Sequence, residues 1–270
     1  MIVRDEEAAL SRCLNSVADV VDEIIIVDTG STDRTVEIAV EHHATVLHHD
    51  FTHVDFAAAR NRSLVAARGD AVLVLDADET LDPASAPIVR ALAAESEDAG
   101  YVVTRRNVPA DPARPAWYDH AVRLFSHRPS FRYEGRVHET IDGTILASGG
   151  RLRRSGIVLN HCLPDQPAAD AKGRWYLELL HEEASDDPDR LVFLAAEYHK
   201  LRMYAEATAV AERVAALAPI DFEAQFNAAL YHFYYGDDSE TARAEVAAAL
   251  RLRPADPEAL ALLKAIDEAV

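Results

Sequence analysis

Glu23-Ile-Ile-Ile-Val-Asp28 runs straight into Thr29-Gly30-Ser31-Thr32-Asp33-Arg34-Thr35, and Ala71-Val-Leu-Val-Leu75 runs into Asp76-Ala77-Asp78-Glu79. Each stretch is a continuous aliphatic run without polar alternation, the pattern of a strand covered on both faces, as the parallel strands of α/β sheets are. Each run ends in carboxylates. Open α/β sheets bind ligands beyond the carboxyl ends of their strands. Acidic side chains there are placed to hold a hard cation and the hydroxyls of a ribose or sugar, so the two stretches point to a metal-bound nucleotide.

Working outward, Met1-Ile-Val3 reads as the end of a strand, and Leu10, Cys13, Leu14, Val17 and Ala18 repeat at helical spacing before Glu23–Asp28. The result is a β-α-β unit with parallel strands and a right-handed crossover. Thr32 to about His43 reads as the next helix, Thr45–His48 as a short strand and Phe56–Arg68 as a third helix, with Gly69 as its C-cap before the strand at Ala71. The alternation is that of a doubly wound sheet. Beyond Glu79 the periodicity weakens. Tyr101–Thr104, Ala121–Phe125 and Arg153–Leu159 read as strands, and the Pro-rich stretch Pro109–Pro115 is long enough to be a substrate loop.

The chain has 270 residues and a formal charge of −19, room enough for two domains. Residues 1–163 carry 25 acids and 17 bases, and residues 164–270 carry 21 and 10, so both halves are acidic. Such a surface is repelled by phosphate backbones and anionic headgroups, which argues against nucleic acid as a partner and against electrostatic adhesion to a bilayer. No apolar run approaches the roughly 18 residues of a membrane span, and Met-Ile-Val-Arg-Asp-Glu-Glu lacks the regions of a signal peptide, so a cytoplasmic location is expected. Cys13 and Cys162 are far apart and form no C-x-x-C, which signals neither a disulfide framework nor a zinc site. The pairs His42-His43 and His48-His49 have no companion cysteines and read as exposed.

Asp28-x-Gly30-Ser31-x-Asp33-x-Thr35, then Ala59-Arg60-Asn61, then Gly69-Asp70 leading into Asp76-Ala-Asp78-Glu79, stand in an order that resembles the signature of inverting family 2 glycosyltransferases. The resemblance spans about Met1 to Cys162. The later Arg123-Leu-Phe, Tyr133-Glu-Gly-Arg-Val-His-Glu139 and Asn160-His161 are similar to a bacterial subgroup of that family. It implies a glycosyltransferase A fold, a nucleotide-diphosphosugar donor, most simply a UDP-sugar, and a Mn2+ or Mg2+ cofactor. The acceptor would be a saccharide of the cell envelope, a lipid-linked sugar, or a peptide or protein side chain.

Departure of a nucleotide diphosphate builds negative charge, which a divalent cation neutralises. Asp78 is the candidate direct ligand, with Asp76 on the metal, its bound water or the ribose; the alternative is that both are solvated turn residues. By resemblance Asp28 contacts the nucleoside. Asp33 either joins it or caps the following helix. Glu6 either lines the nucleoside pocket or sits in the first turn of a helix, and Arg60 and Asn61 either approach the same rim or face solvent. Inversion needs a base for the acceptor's proton. By resemblance to the subgroup, which carries this His-Glu pair, Glu139 is the candidate base, with Glu134, Asp119 or a purely structural Glu139 as alternatives, while Arg136 or His138 would orient it or touch phosphate. His161 stands where several glycosyltransferase A enzymes place a further metal ligand; the alternative for a lone His after an apolar strand is a hydrogen-bonded structural residue.

Leu163–Pro167 has linker composition and divides the chain into a catalytic domain, 1–163, and an all-α domain, 164–270. Tyr204-Ala-Glu-Ala207 aligns with Ser239-Glu-Thr-Ala242, Leu217 with Leu252 and Pro219 with Pro254, each offset by 35 residues. The period resembles that of tetratricopeptide repeats, implying two repeats with flanking helices and a surface for a protein partner or the acceptor. The competing class is a repeat scaffold whose nucleotide-sugar site is degenerate. A nucleotidyltransferase is disfavoured, because Arg4-Asp-Glu-Glu7 stands where a Gly-rich phosphate loop would be needed.

Overall fold

The computed structural model describes residues 1–95, 98–182 and 186–269. The chain forms two compact units, Met1–Asp165 and Gln166–Val270. In chain order the first contains β1 (Ile2–Val3), α1 (Leu10–Val17), β2 (Ile25–Asp28), α2 (Thr35–Glu41), β3 (Thr45–His48), α3 (Phe56–Ala66), β4 (Ala71–Leu73), β5 (Glu79–Leu81), α4 (Ala86–Ala93), β6 (Ala99–Val108), β7 (Trp117–Ser126), α5 (Asp142–Ala147) and β8 (Arg151–Cys162).

Strands β1, β2 and β3 form a parallel sheet in that order, with Val3 opposite Asp28 and Asp28 opposite His48. Helix α1 buries Leu10, Cys13, Leu14 and Val17, one face at helical spacing. The other five strands form a mixed sheet in the order β4-β7-β6-β8-β5, in which only β6 and β8 are parallel.

Strand β4 corrects the expectation of a parallel neighbour, because its partner in the sheet is β7, antiparallel. The aliphatic run reports burial on both faces rather than strand direction. Ala71, Leu73 and Leu75 pack with Cys13, Val17 and Leu124, whereas Val72 and Val74 pack with Ala57, Leu64 and Phe125. Gly69 is not the C-cap of α3 either. The helix stops at Ala66 with Ala67 extended, and Glu23 Oε1 accepts from the backbone N–H groups of Arg68 (2.6 Å) and Gly69 (3.0 Å), so a side chain from β2's approach turns the chain.

One irregularity places a side chain. Tyr101 pairs with Leu124 but Val102 pairs with Val122, so Arg123 is the extra residue of a β-bulge in β7. Bulges re-aim side chains and concentrate beside active sites.

The second unit contains α6 (Gln166–Glu182), α7 (Pro188–Lys200), α8 (Tyr204–Leu217), α9 (Phe222–Tyr235), α10 (Ser239–Leu252) and α11 (Pro257–Ala269). Helix α6 begins inside the stretch read as linker, with Pro167 at a position where its missing N–H costs nothing. Successive helices pack on one another, and α9 also packs on α11. Helices α8 and α10 start at Tyr204 and Ser239, and α9 and α11 at Phe222 and Pro257, both offsets being 35 residues. The ends of α7 and α9, Lys200 and Tyr235, keep the same offset, so the repetition begins earlier than two repeats. The unit is a tetratricopeptide-like array. Ala195, Ala229 and Ala249 are buried at its crossings, where small side chains let helices approach. Between α8, α9 and α10, buried His232 Nε2 lies 3.0 Å from Glu212 Oε1 and 3.7 Å from Glu245 Oε1. No helix among the described residues is long and apolar enough to cross a membrane.

Candidate active site

Asp28, at the end of β2, is buried, and its carboxylate accepts from the N–H groups of Gly30 (3.2 Å) and Ser31 (3.1 Å), with His48 Nδ1 at 3.4 Å. Gly30 adopts φ 103°, a backbone conformation that side-chain-bearing residues avoid. The turn is stitched to the loop after β1. Ser31 Oγ accepts from Asp5 N–H, Asp5 Oδ1 from Thr32 N–H, Asp33 Oδ2 from Glu7 N–H, and Glu7 Oε2 from Arg34 N–H, all within 2.7–3.0 Å. Asp33 Oδ1 also accepts from Thr35 N–H, closing the turn before α2, whose N-cap is Arg34, and Glu6 N–H donates to Thr35 Oγ1 at 2.7 Å. The Gly-Ser signature thus fixes two loops against each other at the end of the parallel sheet.

The residues around Asp76 form a cluster of paired charges. Asp76 Oδ1 accepts from Arg60 Nη2 and Oδ2 from Arg123 Nη2, each at 2.7 Å. Arg123 Nη2 also reaches Glu79 Oε1 at 3.1 Å, and Glu79 Oε2 accepts from Asp76 N–H. Burial alone would raise the Asp76 pKa, but the Arg123 and Arg60 guanidinium groups outweigh it and hold the carboxyl well below its usual range. Burial dominates at Glu79 and pushes its carboxyl up. Arg105 forks onto Asp119 with two 2.7 Å bonds and lies 3.5 Å from Glu79. Asp119 is therefore tied to a cation. The Cys13 thiol, whose Sγ lies 3.4 Å from the Asp76 carbonyl oxygen, is pushed up to about 12, chiefly by burial.

Asp78 stands apart from this cluster. Its Oδ2 lies 3.3 Å from His161 Nε2, and its Oδ1 is buried with no hydrogen-bond partner. His161 Nδ1 is 2.7 Å from Asn107 Oδ1. An amide oxygen only accepts, so Nδ1 carries the hydrogen, and Nε2 is the basic nitrogen when the ring is neutral. Burial lowers the His161 pKa, but the Asp78 carboxylate and Glu79 outweigh it and raise it. Asp78 and His161 thus present a carboxylate and an imidazole together. Asp76, expected to share a metal with them, is engaged by two arginines instead. Among the described residues no group of three or more His, Cys, Asp or Glu converges as a metal cage. Two protein ligands still suit an ion that takes its remaining oxygens from substrate phosphate and water.

The segment 133–140 is tied to the charge cluster through Arg60 and Asn61. Asn61 grips the backbone of Tyr133, Nδ2 donating to its carbonyl and Oδ1 accepting from its N–H, both at 2.9 Å. Glu134 and Thr140 exchange backbone hydrogen bonds and fold the residues between into a loop, with Gly135 at φ 97° and His138 at φ 54°. Glu139 Oε1 accepts from Arg60 Nε, so Arg60 bridges Asp76 and Glu139, its guanidinium 5.5 Å from the Tyr133 ring centre. Arg136 donates Nε to the Val54 carbonyl. Arg60 and Asn61 therefore act as internal connectors, both facing protein.

Nothing in the sequence marks Asn107, whose amide orients His161, and the Arg123-Leu-Phe stretch assigns Arg123 no task. A buried Arg in an apolar strand was the available signal for Arg123. Asn107 had none, since its partner lies 54 residues away.

A model of the family described as Glycosyl transferase family 2 matches residues 1–159. A TPR repeat-containing protein of Synechococcus elongatus is 45% identical over 147 residues, 54% of this chain and 36% of its own length. The glycosyltransferase SunS of Bacillus subtilis is 30% identical over 144 residues, 52% of this chain and 33% of its own. The chain spans between 27% and 36% of the length of the curated relatives it matches. Among solved structures, S. aureus TarS 1-349 in complex with UDP-GlcNAc is similar at a TM-score of 0.49 and 14% identity, covering 99% of this chain and 89% of that one.

Proposed function

The chain belongs to glycosyl transferase family 2, and from that premise we propose that it is an inverting, metal-dependent enzyme using a nucleotide-diphosphosugar, specifically a UDP-sugar. The proposed acceptor is a saccharide, free or lipid-linked, or a peptide, with an envelope saccharide as the first choice and the cytoplasm as the place of reaction. The observation that carries metal dependence is Asp78–His161: a buried carboxylate oxygen without a partner beside an imidazole whose other nitrogen is fixed by Asn107. Mn2+ accepts both ligand types and Mg2+ favours the carboxylate. Asp78 and His161 would hold the ion. An ion held there would supply positive charge against the diphosphate as it departs.

The chain's own residues do the rest. Glu139 takes the acceptor's proton as the nucleophile attacks the anomeric carbon from the face opposite the diphosphate. Arg60 keeps that carboxylate aimed, and because Asp76 shares the same guanidinium, its charge is not spent on Glu139 alone. Arg136 and His138 shape the loop that presents Glu139. Asp28, with Glu6 and Asp33 on the loops it organises, receives the nucleoside; a carboxylate oxygen already accepting one N–H keeps a lone pair for a ribose or base donor.

The test is thermal stabilisation by UDP-glucose, UDP-N-acetylglucosamine and their GDP counterparts, with Mn2+, Mg2+ or EDTA. A ligand that binds only the native state raises its melting temperature according to affinity. A selective response that EDTA abolishes is expected. A flat response across the panel sinks the enzyme reading in favour of a scaffold with a degenerate site.

A further inference from the structure

Trp117, the first residue of β7, is 50% exposed, and its neighbour Tyr118 is 61% exposed. A large aromatic side chain left in water at the rim of a site is a binding feature to account for. The register supplies the account. Asn107 on β6 pairs with Trp117 on one side and with His161 on the other, and His161 pairs with Glu79 on β5. Directly paired residues project from the same face of a sheet, so Trp117, Asn107, His161 and Glu79 form one row, and Asp78 meets His161 in it. Neighbouring strands are about 4.8 Å apart, which puts the Trp117 backbone about 10 Å from that of His161.

We propose that Trp117 is the stacking platform for a pyranose ring of the acceptor, an inference that rests on the glycosyltransferase reading. The donor's sugar is joined to the diphosphate through a single bridging oxygen. It therefore occupies the space next to Asp78 and His161, and a ring two strands further along the row lies on the acceptor side. A pyranose offers one face made of C–H bonds. The indole face carries the negative part of its quadrupole, so weakly positive C–H groups settle against it, and both apolar faces leave water. Asp119, two residues along the same face of β7 and charge-balanced by Arg105, stands beside the platform as an acceptor for ring hydroxyls. The acceptor class narrows accordingly to molecules that already carry a sugar ring.

The chain has two tryptophans, Trp117 and Trp175, so Trp175→Phe leaves Trp117 as the sole indole reporter in the full chain. The probes are the methyl glycosides of glucose, galactose, mannose and N-acetylglucosamine, added with UDP and Mn2+. At least one should change Trp117 emission saturably at roughly millimolar concentration, and Trp117→Phe, which keeps Trp175, should show no change. With the responding glycoside as acceptor, Trp117→Ala should raise its KM about tenfold while Trp117→Phe stays within about threefold, and UDP-sugar hydrolysis should be unaltered in both. No response to any glycoside in a protein that UDP-sugars still stabilise overturns the platform and leaves the enzyme reading standing. Failure of UDP-sugars to stabilise the unmodified protein removes both. A raised KM for the UDP-sugar would move Trp117 to the donor side, and an emission change with phosphatidylglycerol vesicles alone would make it a membrane contact; either result overturns the proposal.

Discussion

Asp78 and Glu139 are both partly buried acids, yet they have different neighbours, which suits the different work proposed for them. Asp78 keeps one oxygen without a partner, whereas Glu139 is held by a guanidinium. Asp78→Asn should abolish the Mn2+-dependent stabilisation by UDP-sugars while shifting the urea midpoint by no more than about 1 kcal/mol of stability, since its present hydrogen bond to His161 is long at 3.3 Å. Retained metal-dependent stabilisation would remove Asp78 from the mechanism. Glu139→Gln keeps shape but cannot take a proton, so kcat should fall by about 10²–10⁴ with donor KM little changed. An equal loss in donor affinity would make it a binding residue. At this scale the sequence was legible in kind but not in wiring. The acids at the strand ends stood out, but that Asp76 is consumed by Arg60 and Arg123 while Asp78 is left over depends on contacts between residues 16 and 47 positions apart.

The elements carry that wiring, the β7 bulge most of all. Arg123 reaches two carboxylates because one extra residue re-aims it. Arg123→Met should destabilise the protein by about 3 kcal/mol, because removing one partner strands buried charge on the others. Adding Glu79→Gln should recover part of the loss in urea titrations; purely additive losses would mean the two side chains are not coupled. Neither the bulge nor β5 could be read from the chain, since both are set by registers between distant strands, whereas α1, β2 and β3 were legible from local periodicity. The helices hold a second testable group. The Glu245 carboxyl is pushed up to about 7, first by burial and then by Glu212 and Asp238. The folded state thus binds this proton more tightly than the unfolded chain, so its contribution to stability is full below the ordinary glutamate range and is lost as pH rises through about 7. The melting temperature of the helical unit should fall between pH 5 and pH 8, and Glu245→Gln should flatten that slope; an unchanged slope would assign it to other groups.

Across the whole molecule, the proposed donor-site residues all lie in Met1–Asp165, and the 35-residue offset lies wholly in Gln166–Val270. A chain ending at Asp165 should, if soluble, keep metal-dependent stabilisation by UDP-sugars; its loss in a folded, soluble fragment would show that donor binding needs the helices. In the sequence, alternating strands give way to an Ala-rich periodic region, and the structure divides into units at Asp165 and Gln166. The constant helix offset has a further consequence for how this protein can change over time. Because corresponding helices start at a constant offset of 35 residues, an in-frame duplication of 35 codons falling between α10 and α11 would add one more rung in register and lengthen the array without re-routing any strand. Reach could then vary by gene duplication in whole-repeat steps, while the carboxylates proposed for the chemistry, all in Met1–Asp165, stay under their own, separate selection.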